Sequence, residues 1–130
     1  MRKIALIIFC LFCIPSVSFA EDDCPLKGKW YSNEKATLEQ MDKYGNLTEK
    51  QRKLLSNKFF GKLTIEYSCT EATIYYNDTV KTEKYKITKR NGNTLEVELS
   101  STKEQITLAG DCYLISLEPL TFSEVFCKAK

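Results

Sequence analysis

From Gly61 onward the chain alternates. Leu63, Ile65 and Tyr67 are interleaved with Thr64, Glu66 and Ser68, and Leu95, Val97 and Leu99 with Glu96 and Glu98. Successive strand residues point to opposite faces, so the pattern describes strands buried on one face only. Turn chemistry at Asn77-Asp78, Asn91-Gly92, Ser100-Ser101, Gly110-Asp111 and Pro119-Leu120 cuts the region into short lengths. Asn91-Gly92 is the strongest of these signals, because a type I′ turn needs positive φ at both central residues. With the apolar Gly28-Lys29-Trp30-Tyr31-Ser32, strands are predicted over residues 28–32, 62–69, 72–77, 80–89, 94–100, 104–109, 112–117 and 122–128.

Between the first two strands the period changes from two to helical. Thr37-Leu38-Glu39-Gln40 and Thr48-Glu49-Lys50-Gln51 both fit a capping box, in which Thr and Gln side chains satisfy free amides at a helix start. Gly45 and Gly61 stand where the two helices are expected to stop. Leu38, Met41 and Tyr44 share a face of the first helix, and Leu54, Leu55 and Phe59 give the second an apolar stripe. The expected fold is mostly β with two short helices: an eight-stranded antiparallel up-and-down meander with the helical pair inserted between strands one and two. Closing the meander into a barrel removes its exposed edges, and eight is the small-barrel number. A curled open sheet packed under the helices is the alternative.

Residues 1–20 read as a cleaved secretory signal peptide, with basic Arg2 and Lys3, the apolar run from Ile4 to Ile14 and the close Ser18-Phe19-Ala20. The run is shorter than the roughly 20 residues that span a bilayer, so no membrane insertion is expected. The short basic start is of a bacterial kind, which places residues 21–130, read as one domain, in the periplasm or outside the cell. The whole chain carries 19 basic and 17 acidic residues. Without Arg2 and Lys3 the balance is neutral, and binding to nucleic acid or to an anionic membrane surface loses its argument.

Four cysteines remain after residue 20: Cys24, Cys69, Cys112 and Cys127. An even number in an oxidising compartment suggests two disulfides. A zinc site is not expected, since no close C-x-x-C pair and no His occurs. In an up-and-down meander all four cysteines fall at one rim. Across the Pro119-Leu120 turn Cys112 faces Cys127, which makes that pair, with Cys24 to Cys69, the preferred pairing. Cys24 with Cys127 and Cys69 with Cys112 would close the barrel seam instead, and sequence alone permits three connectivities.

Gly28-Lys29-Trp30, at the start of this meander, resembles the G-x-W motif with which lipocalins and their calycin relatives begin. Two helices between strands one and two resemble the fatty-acid-binding branch, where a helical pair forms a lid over one barrel mouth. The resemblance implies a lipocalin-like closed barrel. It also implies a late basic residue packed on the tryptophan, for which Lys128 is the candidate; residues 21–130 are fewer than typical lipocalins have.

The chain lacks His, and with its cysteines oxidised the usual general bases and the thiol nucleophile are missing. No nucleophile-elbow, zinc-protease or phosphate-loop motif occurs. Glu96 and Glu98 alternate with Leu95, Val97 and Leu99 and so are expected on the solvent face. A non-enzymatic, monomeric binding protein without cofactor or metal is therefore expected. Its ligand would be a small apolar or acyl molecule inside the barrel, lined by Trp30, Tyr67, Tyr76, Tyr85, Tyr113, Phe122 and Phe126 and gated by Leu54, Leu55 and Phe59. The rival expectation is an inhibitor or immunity protein that neutralises a secreted hydrolase or toxin, docking through the polar ladder Lys81, Glu83, Lys84, Lys86, Lys89 and Arg90. The two differ in whether a continuous apolar void lies beneath the helices.

Overall fold

Alternation makes the strands and tight turns set their order. The computed structural model describes residues 24–129; the expected signal peptide lies outside them. The elements are β1 (Gly28–Ser32), α1 (Glu34–Tyr44), α2 (Glu49–Leu55), β2 (Leu63–Tyr67), β3 (Glu71–Tyr76), β4 (Thr79–Asn91), β5 (Thr94–Leu99), β6 (Lys103–Ala109), β7 (Cys112–Ser116) and β8 (Ser123–Lys128). All neighbours pair antiparallel in chain order, and β1 pairs with β8 to close the barrel. Closure leaves no sheet edge, which decides against the open sheet.

Three two-residue hairpins place a left-handed residue first: Asn77 (φ 53°), Gly92 (φ 64°) and Gly110 (φ 63°). At the β4–β5 turn the central pair is Gly92-Asn93, because Asn91 pairs with Thr94. Only Gly92 of that pair has positive φ, so the type I′ turn expected at Asn91-Gly92 is displaced by one residue and needs one left-handed position, which glycine takes without steric cost.

The barrel interior is filled by Trp30, Tyr67, Ala72, Tyr85, Leu95, Val97, Ile106, Tyr113, Ile115 and Phe126. One end is plugged by Leu26, fully buried, whose carbonyl accepts a hydrogen bond from Trp30 Nε1 at 2.8 Å. The disulfide Cys24–Cys69 anchors this plug, and Cys112–Cys127 joins directly paired residues of β7 and β8. Lys128 Nζ stands 5.1 Å from the Trp30 ring centroid, the place that the lipocalin resemblance implies for its basic residue.

The helices depart from the sequence reading. The first begins at Asn33, whose side chain accepts from the Ala36 amide, and not at Thr37. Thr37 is buried, and its hydroxyl accepts from the Val125 amide at 3.0 Å, docking α1 along β8. Val125 is thus on the outer face yet buried. The Thr48–Gln51 capping box does form. The second helix stops at Leu55, six residues before Gly61; Gly61 (φ 90°) instead lets the chain pass Glu34, whose Cβ would lie 3.1 Å from an added Cβ.

Candidate functional site

The helical pair is not a lid over the barrel axis. α1 lies against β8, and a second cluster of Met41, Phe60 and Phe122, joined by Leu38, Leu47, Leu55, Leu117 and Leu120, fills the space between the helices and the β7–β8 connection. α2 buries none of its residues: Leu54 is 71% exposed, while Leu55 packs against the second cluster. Seven residues provide too short an apolar stripe to cover a mouth, and Arg52 pairs with Asp42 to hold α2 beside α1 instead. Phe59 is also exposed, but it belongs to the mouth, as described below.

The rings assigned to a ligand cavity are distributed as follows. Trp30, Tyr67, Tyr85, Tyr113 and Phe126 lie together in the barrel, with Trp30 and Tyr113 centroids 4.8 Å apart, Tyr113 stacked on Phe126 at 5.2 Å and Tyr67 edge-on to Tyr85 at 5.3 Å. The Tyr67 and Tyr113 hydroxyls share a hydrogen bond of 3.0 Å, and burial pushes both phenols far above their ordinary pKa. Tyr85 donates to the Ser68 carbonyl at 2.6 Å. These rings pack on one another, as expected where eight strands leave an interior just wide enough for side chains. Phe122 is not in the barrel. It precedes β8 and meets Phe60 edge-on at 6.0 Å in the second cluster. Tyr76 ends β3 at the mouth, 42% exposed.

The mouth that the helices leave open carries charge which sequence reasoning missed. Cross-strand partners share a face. Glu83 pairs with Ala72, Glu104 with Val97 and Glu124 with Ile115, and all three partners are buried core residues. The three carboxylates therefore face the lumen. Glu124 is 8% exposed and accepts from Ser32 Oγ at 2.7 Å, while Ser32 Oγ accepts from the Gly61 amide at 3.0 Å. Desolvation raises the pKa of Glu124 against the Ser32 bond, and that of Glu104 with help from the charges of Glu83 and Glu124. The alternation that put Phe122 and Phe126 on the inner side also passes through Glu124, and Glu104 alternates with Ile106 and Leu108, so the signal was present.

A recess of about 180 Å³ opens at this mouth, lined by Phe59, Phe60, Lys62, Leu63, Tyr76 and Glu124. A larger groove of about 560 Å³ runs over β4, β5 and β6 to Ser116 and Glu118. Its lining is mostly polar, with Lys103 standing 3.9 Å from Glu96, and it also reaches the buried Leu95 and the lumen-facing Glu104. The expected docking ladder of β4 is split. Lys81 and Glu83 lie on the lumen face by their pairing, Lys84 and Lys86 lie on the outer face, and a register shift between Ile87 and Lys89 displaces the rest. Glu96 and Glu98 stand outside, the latter 3.7 Å from Lys86.

Among the described residues no group of three or more ligating side chains could hold a metal ion, and no helix is long and apolar enough to cross a membrane. No protein-family model matches the chain, and no curated protein matches it. The two disulfides are consistent with an oxidising, exported setting, and the closed barrel is a scaffold compatible with binding.

Proposed function

We propose that the chain is an exported, non-catalytic, lipocalin-like binding protein that takes its ligand at the barrel mouth and not along the barrel axis. The observation that carries this reading is the recess beneath Phe59 and Phe60, set against an interior already filled by Trp30, Tyr67, Tyr113 and Phe126. Its small volume suits a few-atom ligand or one side chain of a larger partner; drug-sized pockets run to about 300–1,000 Å³. The non-catalytic part rests on the missing His and the engagement of all four cysteines after residue 20 in disulfides. The lipocalin part rests on Gly28-Lys29-Trp30 with Lys128 over the ring. Native mass spectrometry of protein purified from its own compartment tests the reading. A bound small mass that disappears in a Phe59→Ala, Tyr76→Ala double variant is expected, and a bound mass indifferent to those substitutions would refute it.

A second reading, docking on a secreted protein as an inhibitor, is favoured by one feature. Tyr31, Thr64, Tyr75 and Val80 form a cross-strand row on the outer face of β1–β4, with Tyr31 41% and Val80 61% exposed and Lys29 near both tyrosine rings. Exposed tyrosines are common anchors of protein interfaces. A stoichiometric protein complex abolished by Tyr31→Ala and Tyr75→Ala would favour it over the first.

A further inference from the structure

The mouth recess is chemically one-sided. Phe59, Phe60, Leu63 and Tyr76 give it apolar and aromatic walls, Lys62 is an exposed residue at its border, and Glu124 is its one carboxylate. Ser32 Oγ donates to Oε2 of that carboxylate, and Oε1, which accepts from none of the described side chains and is not a buried unpartnered atom, opens to the recess. None of the ion pairs among the described residues includes Glu124. A carboxylate this far from water is costly unless it is paired or well supplied with donors. Glu83 and Glu104 face the same lumen; Glu83 is 3.8 Å from Lys81 and accepts from Ser100 Oγ, whereas none of the ion pairs among the described residues includes Glu104. Of the three lumen carboxylates only Glu83 is thus in an ion pair, and Lys62 is the one cation lining the recess itself.

Small volume, aromatic walls and an unmatched carboxylate are together complementary to one class of ligand. Ring faces attract cations through their quadrupole, and a carboxylate gives an ammonium a charge-assisted hydrogen bond. A metal ion fits poorly, because the walls supply rings where it needs oxygen ligands. The geometry points to an alkylammonium site, with Glu124 as counter-ion and Phe59, Phe60 and Tyr76 around the cationic head. The assignment rests on the reading of the mouth as the binding site and adds the sign of the ligand's charge. A free short-chain amine and a lysine side chain offered by a protein share this chemistry.

The test uses the full disulfide-bonded chain, isotope-labelled, with backbone amide shifts followed during titration with n-butylammonium, 1-butanol and butyrate at matched ionic strength. Butylammonium is expected to give saturable shifts confined to residues 59–63, 76 and 123–125, with the millimolar affinity open to a ligand of about five heavy atoms. Butanol and butyrate are expected to bind roughly tenfold or more weakly, and Glu124→Gln to weaken butylammonium by a similar factor, since it removes the charge while keeping the volume and an acceptor for Ser32. Lys62→Met is expected to strengthen butylammonium binding by removing a like charge. Butanol or butyrate matching butylammonium at those amides would overturn the cation assignment and leave the mouth a binding site. No shift there with any of the three probes would remove both. A lysine peptide binding tighter than butylammonium would identify a protein side chain as the source, and weaker binding a free amine; either supports the site.

Discussion

At the residue scale, two buried polar arrangements decide how the core tolerates change. Trp30 is 2% exposed, packs on Tyr113 and donates to Leu26. Trp30→Ala should cost about 3–5 kcal/mol, read from urea unfolding, because it empties the barrel centre and orphans the Leu26 carbonyl. The Tyr67–Tyr113 pair should behave differently. Either Tyr→Phe change alone leaves one buried hydroxyl without its partner and should cost about 1–3 kcal/mol, whereas the double change should cost less than the two singles together. Additive losses in that cycle would show that the 3.0 Å bond is not a coupled unit.

Glu104 and Glu124 set a pH dependence whose sign follows from their raised pKa values. The native state keeps protons that the unfolded chain releases. Stability from these groups is therefore greatest below the ordinary carboxylate pKa of about 4.5, falls as pH rises through the raised folded values, and is level above them. The charged neighbours are Glu83 and Lys81 on β4, Lys62 beside Glu124 at the recess, and Lys89 and Lys103 in the groove that Glu104 also lines, with the Tyr67 and Tyr113 phenols protonated throughout. Thermal denaturation should show the midpoint rising as pH is lowered from 7 toward 5. A Glu104→Gln, Glu124→Gln double variant should be more stable than the parent at pH 7 and lose most of that slope. A parent midpoint that falls on acidification while the double variant follows it would contradict the assignment.

At the element scale, the two helices have unequal roles. α1 is tied to β8 through Asn33 and Thr37, while α2 is held by its capping box and its ion pair to α1. Thr37→Val keeps the shape but leaves the Val125 amide unpaired, so it should lower global stability by about 1–3 kcal/mol. Thr48→Ala should instead reduce hydrogen-exchange protection within α2 and leave the global unfolding midpoint nearly unchanged, because α2 has no fully buried residue and touches the second cluster only through Leu55. Sequence periodicity marked both helices but not their docking. Thr37 reads as a cap in sequence, and its burial depends on β8, some ninety residues away, presenting a free amide.

At the scale of the whole molecule, the two disulfides do different work. Cys112–Cys127 joins strands already paired across a short connection, whereas Cys24–Cys69 pins the Leu26 plug across a separation of 45 residues. The chain-entropy account gives about 3 kcal/mol for the shorter loop and about 4 for the longer. Replacing Cys24 and Cys69 by Ser should therefore cost more than replacing Cys112 and Cys127, and it alone should shift Trp30 fluorescence toward the red by loosening the plug over its indole. Equal costs with an unchanged Trp30 spectrum would place the plug's stability elsewhere.

Much of this architecture could be read from residue order. Period two in Leu63–Tyr67 and Leu95–Leu99, turn residues at short intervals and four cysteines at the starts of strands one and seven and the ends of strands two and eight are local facts, and a meander of neighbours turns local facts directly into topology. The outer position of Glu96 and Glu98 follows in the same way. What tertiary structure decided is where the filled interior stops and the open mouth begins. Glu124 and Phe122 lie two residues apart in sequence, yet one ends a lumen-facing row and the other leaves the ladder to meet Phe60. That division depends on the length of β8, on α1 taking the side of the barrel and not its axis, and on rings from distant strands competing for one narrow interior. Alternation assigns a face to each residue; packing among elements distant in sequence determines whether that face is core, mouth or solvent.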